Sequence, residues 1–189
     1  MNPINFKSEW KPDKLFRWWG FNHEKVNELP ILEETKQWLK VGLPEGAAPF
    51  LNFGLRSYDG KFYTIAEYYS DYELNPKANN YWIIGSDGCG NPICIDSSDN
   101  DSILLLDHEQ EFEVIGTINS KVSELAQCLL EYRRFINSIQ TEFGDDAFIE
   151  AKFNKKHVDE LKKRFEKIKE GLLLTSDFWN SEIESLYYE

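Results

Sequence analysis

Val122, Leu125, Leu129, Tyr132, Ile136, Ile139 and Phe143 follow one another at alternating steps of three and four. That spacing places all of them on one stripe of an α-helix, a face that neither a strand nor a loop would keep together. In a chain that also carries strands, a lone stripe of this kind is a core helix packed on a sheet rather than the seam of a coiled coil. The rest of the chain has to supply that sheet.

The residues before the stripe do so. Apolar runs over 49–53, 61–69, 81–84, 92–96, 102–107 and 111–117 are separated by short polar or glycine-rich breaks. The breaks at 58–60 and 85–91 read as tight reversals, the second through Gly85, Gly88 and Gly90. Short turns between successive strands predict a mainly antiparallel sheet. In the last run, Phe112 and Val114 are expected on one face, with Glu111 and Glu113 on the other.

Helices are predicted at both ends. One covers 13–19, capped by Asp13 and stopped at Gly20, and one starts near Pro30 and runs to residue 40. Beyond residue 143, Val158, Leu161, Phe165 and Ile168 give another apolar face, and Ser176 caps a last helix. The fold class is therefore α+β: a central, mainly antiparallel β-sheet with N-terminal and C-terminal helices packed against one face of it. The 189 residues are expected to form one domain, with residues 1–28 as an N-terminal extension. Twenty-eight aromatic residues (six Trp, nine Tyr, thirteen Phe) allow a stable core without disulfide or metal support.

Composition excludes several functions. No apolar run approaches the roughly 18 residues of a membrane span, and the first ten residues lack a secretory signal. Cys89, Cys94 and Cys128 are an odd set without zinc or disulfide spacing, which fits a reducing, cytoplasmic setting. A net charge of −12 opposes nucleic-acid binding; taken alone it is accounted for by solubility, and it would also favour capture of a basic partner. The charge is also uneven: no Lys or Arg lies between Lys77 and Lys121, whereas 152–169 is rich in both.

No catalytic, cofactor-binding or metal-ligating residue is assigned. His23, His108 and His157 lie on unlike elements, and no Gly-x-Ser-x-Gly elbow is present. The 85–90 glycines lead into a strand, not into the helix a phosphate loop requires. Asp96, Asp99 and Asp101 lack the spacing of a calcium loop and read as a solvated acidic turn.

Several short segments, in order, carry a family resemblance. They are Gly42 to Pro44, Ala48 to Phe50, Ile84 to Asp96, Asn119 and Ser120 ahead of Leu125, Ala126 and Leu129, and Phe178 with Trp179. Together they resemble the SUKH superfamily, most closely its fourth subfamily, related to Smi/Knr-type regulators of cell-wall synthesis. The likeness spans about 29–186. It implies a sheet flanked by helices from both chain ends, and no catalytic residues. It also implies that bacterial members are immunity proteins neutralising polymorphic toxins, many of them nucleases or deaminases. Other roles open to such a chain are a signalling scaffold and a small-ligand sensor.

With the acidity, the resemblance implies a basic toxin domain as partner. The expected binding surface lies between Asp87 and Glu113. Asp87, Asp96, Asp99, Asp101 and Asp107 are its acids, and Tyr72 and Tyr81, flanking the polar loop 75–80, are its exposed rings.

Overall fold

The computed structural model describes residues 1–12, 17–54 and 60–187. The elements run α1 Pro3–Trp10, β1 Trp18–Trp19, α2 His23–Glu28, α3 Glu33–Val41, β2 Leu43–Pro44, β3 Gly46–Ala47, β4 Leu51–Phe53 and α4 Ile65–Tyr68. A 3-10 turn, Pro76–Asn80, then leads to β5 Tyr81–Ser86, β6 Pro92–Asp96, β7 Ser102–Asp107 and β8 Glu113–Asn119. The chain continues with α5 Val122–Phe143, α6 Lys155–Ile168, α7 Leu172–Thr175 and α8 Asp177–Ser185.

Strands β3 to β8 form a six-stranded antiparallel meander in sequence order. Period-two alternation sends side chains to both faces, and both faces are covered. Ile93, Ile95, Ile103, Leu105 and Ile118 face the large core shared with α1, α3, α5, α6 and α8. Ile83, Cys94, Leu104 and Leu106 face a smaller cluster on the opposite side. The cover there comes from residues 65–81, through Ile65, Ala78 and Tyr81. Helices were expected on one face only.

The residues predicted as a strand over 61–69 provide that cover. Their strand character is limited to a single bridge between Thr64 and Trp82. At Thr64 a capping box takes over. The Thr64 hydroxyl accepts from Glu67 N (3.2 Å) and the Glu67 carboxylate accepts from Thr64 N (3.0 Å). Two backbone donors satisfied locally outweigh the β-propensity of the surrounding aromatics.

Helix α5 spans the predicted stripe from its first residue to its last. Val122, Leu125, Leu129, Tyr132 and Ile139 are buried, and each contributes about 1.5–3 kcal/mol. Phe143 is 40% exposed, and Ile136 is partly buried. Ala126, Cys128, Leu130 and Phe135 are buried as well, because α1 and α6 also pack against α5.

The N-terminal segment enters the same core. Phe6 and Trp10 are buried, and the Trp10 carbonyl accepts from Arg133 of α5. The helix expected over 13–19 is not formed at Trp18 and Trp19, which pair with Pro44 and Leu43; Asp13 lies outside the described residues. Trp18 Nε1 donates to the Val41 carbonyl at 2.8 Å. That close approach requires Gly42, where φ is +96° and a Cβ would sit 2.2 Å from the Trp19 carbonyl oxygen. Helix α3 begins three residues beyond Pro30, and the reversal expected at 58–60 falls mostly outside the described residues.

The start of β8 also differs from expectation. Glu111 and Phe112 take left-handed backbone (φ +53° and +59°), so the strand opens at Glu113. Phe112 turns into the smaller cluster, whereas Val114 is 44% exposed.

A buried polar seam joins β8, α5 and α8. Trp179 Nε1 donates to Asn119 Oδ1 (2.9 Å), and Asn119 Nδ2 reaches Cys128 Sγ (3.5 Å). The Ser176 hydroxyl donates to the Ile118 carbonyl (2.6 Å) while accepting from Trp179 N. Burial pushes the Cys128 thiol well above its ordinary range. Trp179→Phe should strand the Asn119 oxygen and cost about 1–3 kcal/mol. A lower urea midpoint with an unchanged slope is expected, and an unchanged midpoint would contradict this assignment.

Candidate protein-binding surface

The meander places three hairpin tips at one end of the sheet: residues 48–50 between β3 and β4, 87–91 between β5 and β6, and 108–112 between β7 and β8. Loops held by rigid strands are the usual carriers of recognition.

The tips at 87–91 and 108–112 are built by aspartates that spend their oxygens on the turn. The Asp87 carboxylate accepts from Cys89 N (2.9 Å), Asn91 N (2.8 Å) and Asn91 Nδ2 (2.9 Å). Asp107 accepts from Glu109 N and Gln110 Nε2, both at 2.9 Å. The two tips are joined, since Asn91 Oδ1 accepts from His108 N (3.2 Å) and lies 2.7 Å from His108 Nδ1.

Aromatic contacts attach a further segment. Phe112 packs against Tyr69 (ring centroids 4.1 Å) and Tyr72 (6.0 Å), and Tyr68 meets Tyr69 edge-on. Tyr68 and Tyr72 are 40% and 60% exposed. Around them stand the exposed carboxylates of Glu67, Asp71, Glu73, Glu109, Glu111 and Glu113. None of these six appears in an ion pair among the described residues, whose ion pairs lie elsewhere. Cations of α6, by contrast, face intramolecular acids: Arg164 meets Glu131 and Glu160, and Lys162 meets Glu184.

The residues expected to bind a partner therefore divide. Asp87, Asp107 and Tyr72 come together at this end. Asp96, Asp99, Asp101 and Tyr81 lie at the other, the length of five-residue β6 away, about 16 Å. There Asp96 and Asp101 are buried, not solvated as expected. Asp96 accepts from Ser98 N (2.9 Å) and the Ser98 hydroxyl (2.6 Å), and Asp101 accepts from Leu32 N (2.7 Å). Tyr81, expected to be exposed, is buried in the smaller cluster, and burial followed by Asp96 raises its phenol pKa. Asp99 is exposed.

Glu109, Glu111 and Glu113 fall within the expected 87–113 surface although they were not singled out there, whereas Glu67, Asp71, Glu73 and Tyr68 lie outside it. At the 87–91 and 108–112 tips a signal was present, because the short Asp87 and Asp107 bond their own turns whereas the longer Glu109, Glu111 and Glu113 stand in solvent. It does not extend to Asp71 or to Glu67, whose carboxylate caps Thr64 N.

Among the described residues, no group of three His, Cys, Asp or Glu is placed to hold a metal ion. No helix among them is long and apolar enough to cross a membrane. The three histidines have separate partners: His23 meets the Lys40 carbonyl, His108 meets Asn91, and His157 meets Asn154 N and Glu142.

The family model of the SUKH-4 immunity proteins matches residues 8–170. The chain belongs to that family. No curated protein and no solved structure matches it. The SUKH-4 match begins at residue 8 and so takes in Trp10, Trp18 and Trp19, and it covers all three hairpin tips. It stops before α8, which supplies Trp179 to the polar seam. Membership gives the chain an immunity role, with a protein toxin as the implied partner.

The two ends of the SUKH-4 sheet should respond differently to substitution. Asp101→Ala removes the acceptor for Leu32 N and should cost about 1–3 kcal/mol. Exchanging Glu109, Glu111 and Glu113 for Lys should move stability by no more than about 1 kcal/mol in total. Thermal denaturation of both variants checks this, and a reversed order would contradict the burial assignments.

Proposed function

We propose that this SUKH-4 protein neutralises a toxin with a basic active domain, of nuclease or deaminase type, by docking its acidic sheet end against that domain in the cytoplasm. The observation that carries this reading is the group of six exposed carboxylates around Tyr68 and Tyr72, with no ion pair among the described residues. A toxin acting on nucleic acid needs a cationic groove, since phosphates must be met by Lys and Arg. A patch of the opposite sign speeds encounter with such a groove and suppresses other partners. Tyrosine suits the centre of that contact, because it offers a broad apolar ring and a polar tip while few rotamers are lost. The protein contributes occlusion and no chemistry of its own.

The test is co-expression with the active domain of the toxin encoded beside this chain. Growth rescue and co-purification are expected. Glu109→Lys, Glu111→Lys and Glu113→Lys combined should lower the association rate about tenfold or more at low salt and flatten its salt dependence. An unchanged association rate at low salt, or substrate turnover by the chain alone, would overturn the proposal.

A further inference from the structure

The acidic end adjoins a cleft of about 680 Å³ between the β3–β4 hairpin, α5, the loop after α5 and α8. Leu51, Tyr132, Ile136, Phe148 and Leu186 supply much of its apolar lining. Phe50 and Ile149 flank it, 83% and 85% exposed. Isolated apolar residues on a surface need no explanation, but two of them beside an apolar cleft do.

Phe50 is the more informative. Its φ is +54°, a left-handed conformation disfavoured for a bulky side chain, and its ring gains almost no burial in return. Backbone strain that the core does not use points to function. The residue also sits where the two surfaces meet. A Cβ at Gly88, in the tip held by Asp87, would lie 3.2 Å from Phe50 Cβ.

Charge selects the occupant. Among the described residues, Glu182 is the one charged residue lining the cleft, and no Lys or Arg among them lines it. Asp145 and Asp146 are exposed in the loop that supplies Phe148 and Ile149, and Gln140 anchors that loop through the Asp145 carbonyl (2.8 Å).

We propose that this cleft takes an apolar side chain of the toxin, flanked by Lys or Arg that meets the exposed Asp145 and Asp146 beside it. Phe50 and Ile149 close over it as the apolar half of the interface whose electrostatic half is the glutamate-bearing tips. This rests on the toxin-binding reading above. The two halves act on different rate constants, because buried apolar contacts hold a complex together whereas exposed charges bring it together.

The experiment measures binding of the adjacent toxin's active domain to wild type, Phe50→Ala, Ile149→Ser and Phe50→Gly. Each of the first two should raise Kd about 10- to 100-fold through faster dissociation, with an association rate within about twofold of wild type. Phe50→Gly relieves the left-handed strain, so its Tm should rise while its affinity falls, a combination that a purely structural role for the ring would not produce. If the wild type fails to bind the toxin domain, the toxin-binding reading itself fails. If the wild type binds and all three variants bind as tightly, the cleft proposal alone is overturned. It is equally overturned if sedimentation shows a wild-type dimer that Phe50→Ala dissociates, or if native mass spectrometry finds a small molecule retained in the cleft.

Discussion

Burial of the α5 stripe against the sheet is the constraint from which the rest of the architecture follows. A 22-residue helix apolar on one face and flanked by α1 and α6 needs a wide, flat partner, and the six-stranded meander supplies it. The helix side is closed by the seam in which Trp179, Asn119, Cys128 and Ser176 satisfy one another. A half-satisfied network there would be worse than an apolar one, so its completeness matters more than the strength of any single bond. The other side is closed by the capped turn at Thr64 and the tyrosines that follow it. With both faces committed to folding, the hairpin tips are the part of the sheet we propose for recognition.

Those tips share out their acids by length of side chain. The short carboxylates of Asp87 and Asp107 are held against backbone N–H groups and define the shape of the turns. The longer ones of Glu109, Glu111 and Glu113 project into water. Exposed like charges repel one another modestly in a high-dielectric setting, a small cost that a cationic partner would relieve. An immunity protein must capture its toxin quickly and hold it, and under the proposed docking mode the charged area would serve the first demand and the apolar cleft the second.

Much of the fold was legible in the sequence. The α5 stripe, the strands at 81–84, 92–96 and 102–107, the α6 face and the Ser176 cap all depend on local periodicity or local hydrogen bonding, and these survive in the tertiary structure. The misread segments are those decided by distant contacts or by overlooked capping chemistry. Trp18 and Trp19 become a strand because Gly42 and Pro44 come to meet them. The 61–69 segment reads as a strand by propensity, yet Thr64 and Glu67 carry a capping signature four letters long. The site was half legible: the acidic block was visible, but burial was not. Asp96 and Asp101 lie inside that block and serve the fold, because an aspartate that bonds a backbone and one that faces solvent are the same letter.

Hydrogen–deuterium exchange of the chain, with and without the adjacent toxin's active domain, tests most directly whether the three-tip end is the binding surface. Binding should slow exchange at residues 48–50, 67–73, 87–91, 108–112 and 145–150, and leave 96–102 and 23–28 unchanged. Slowed exchange confined to 96–102 and the N-terminal helices would place the interface at the opposite end of the sheet and contradict the account.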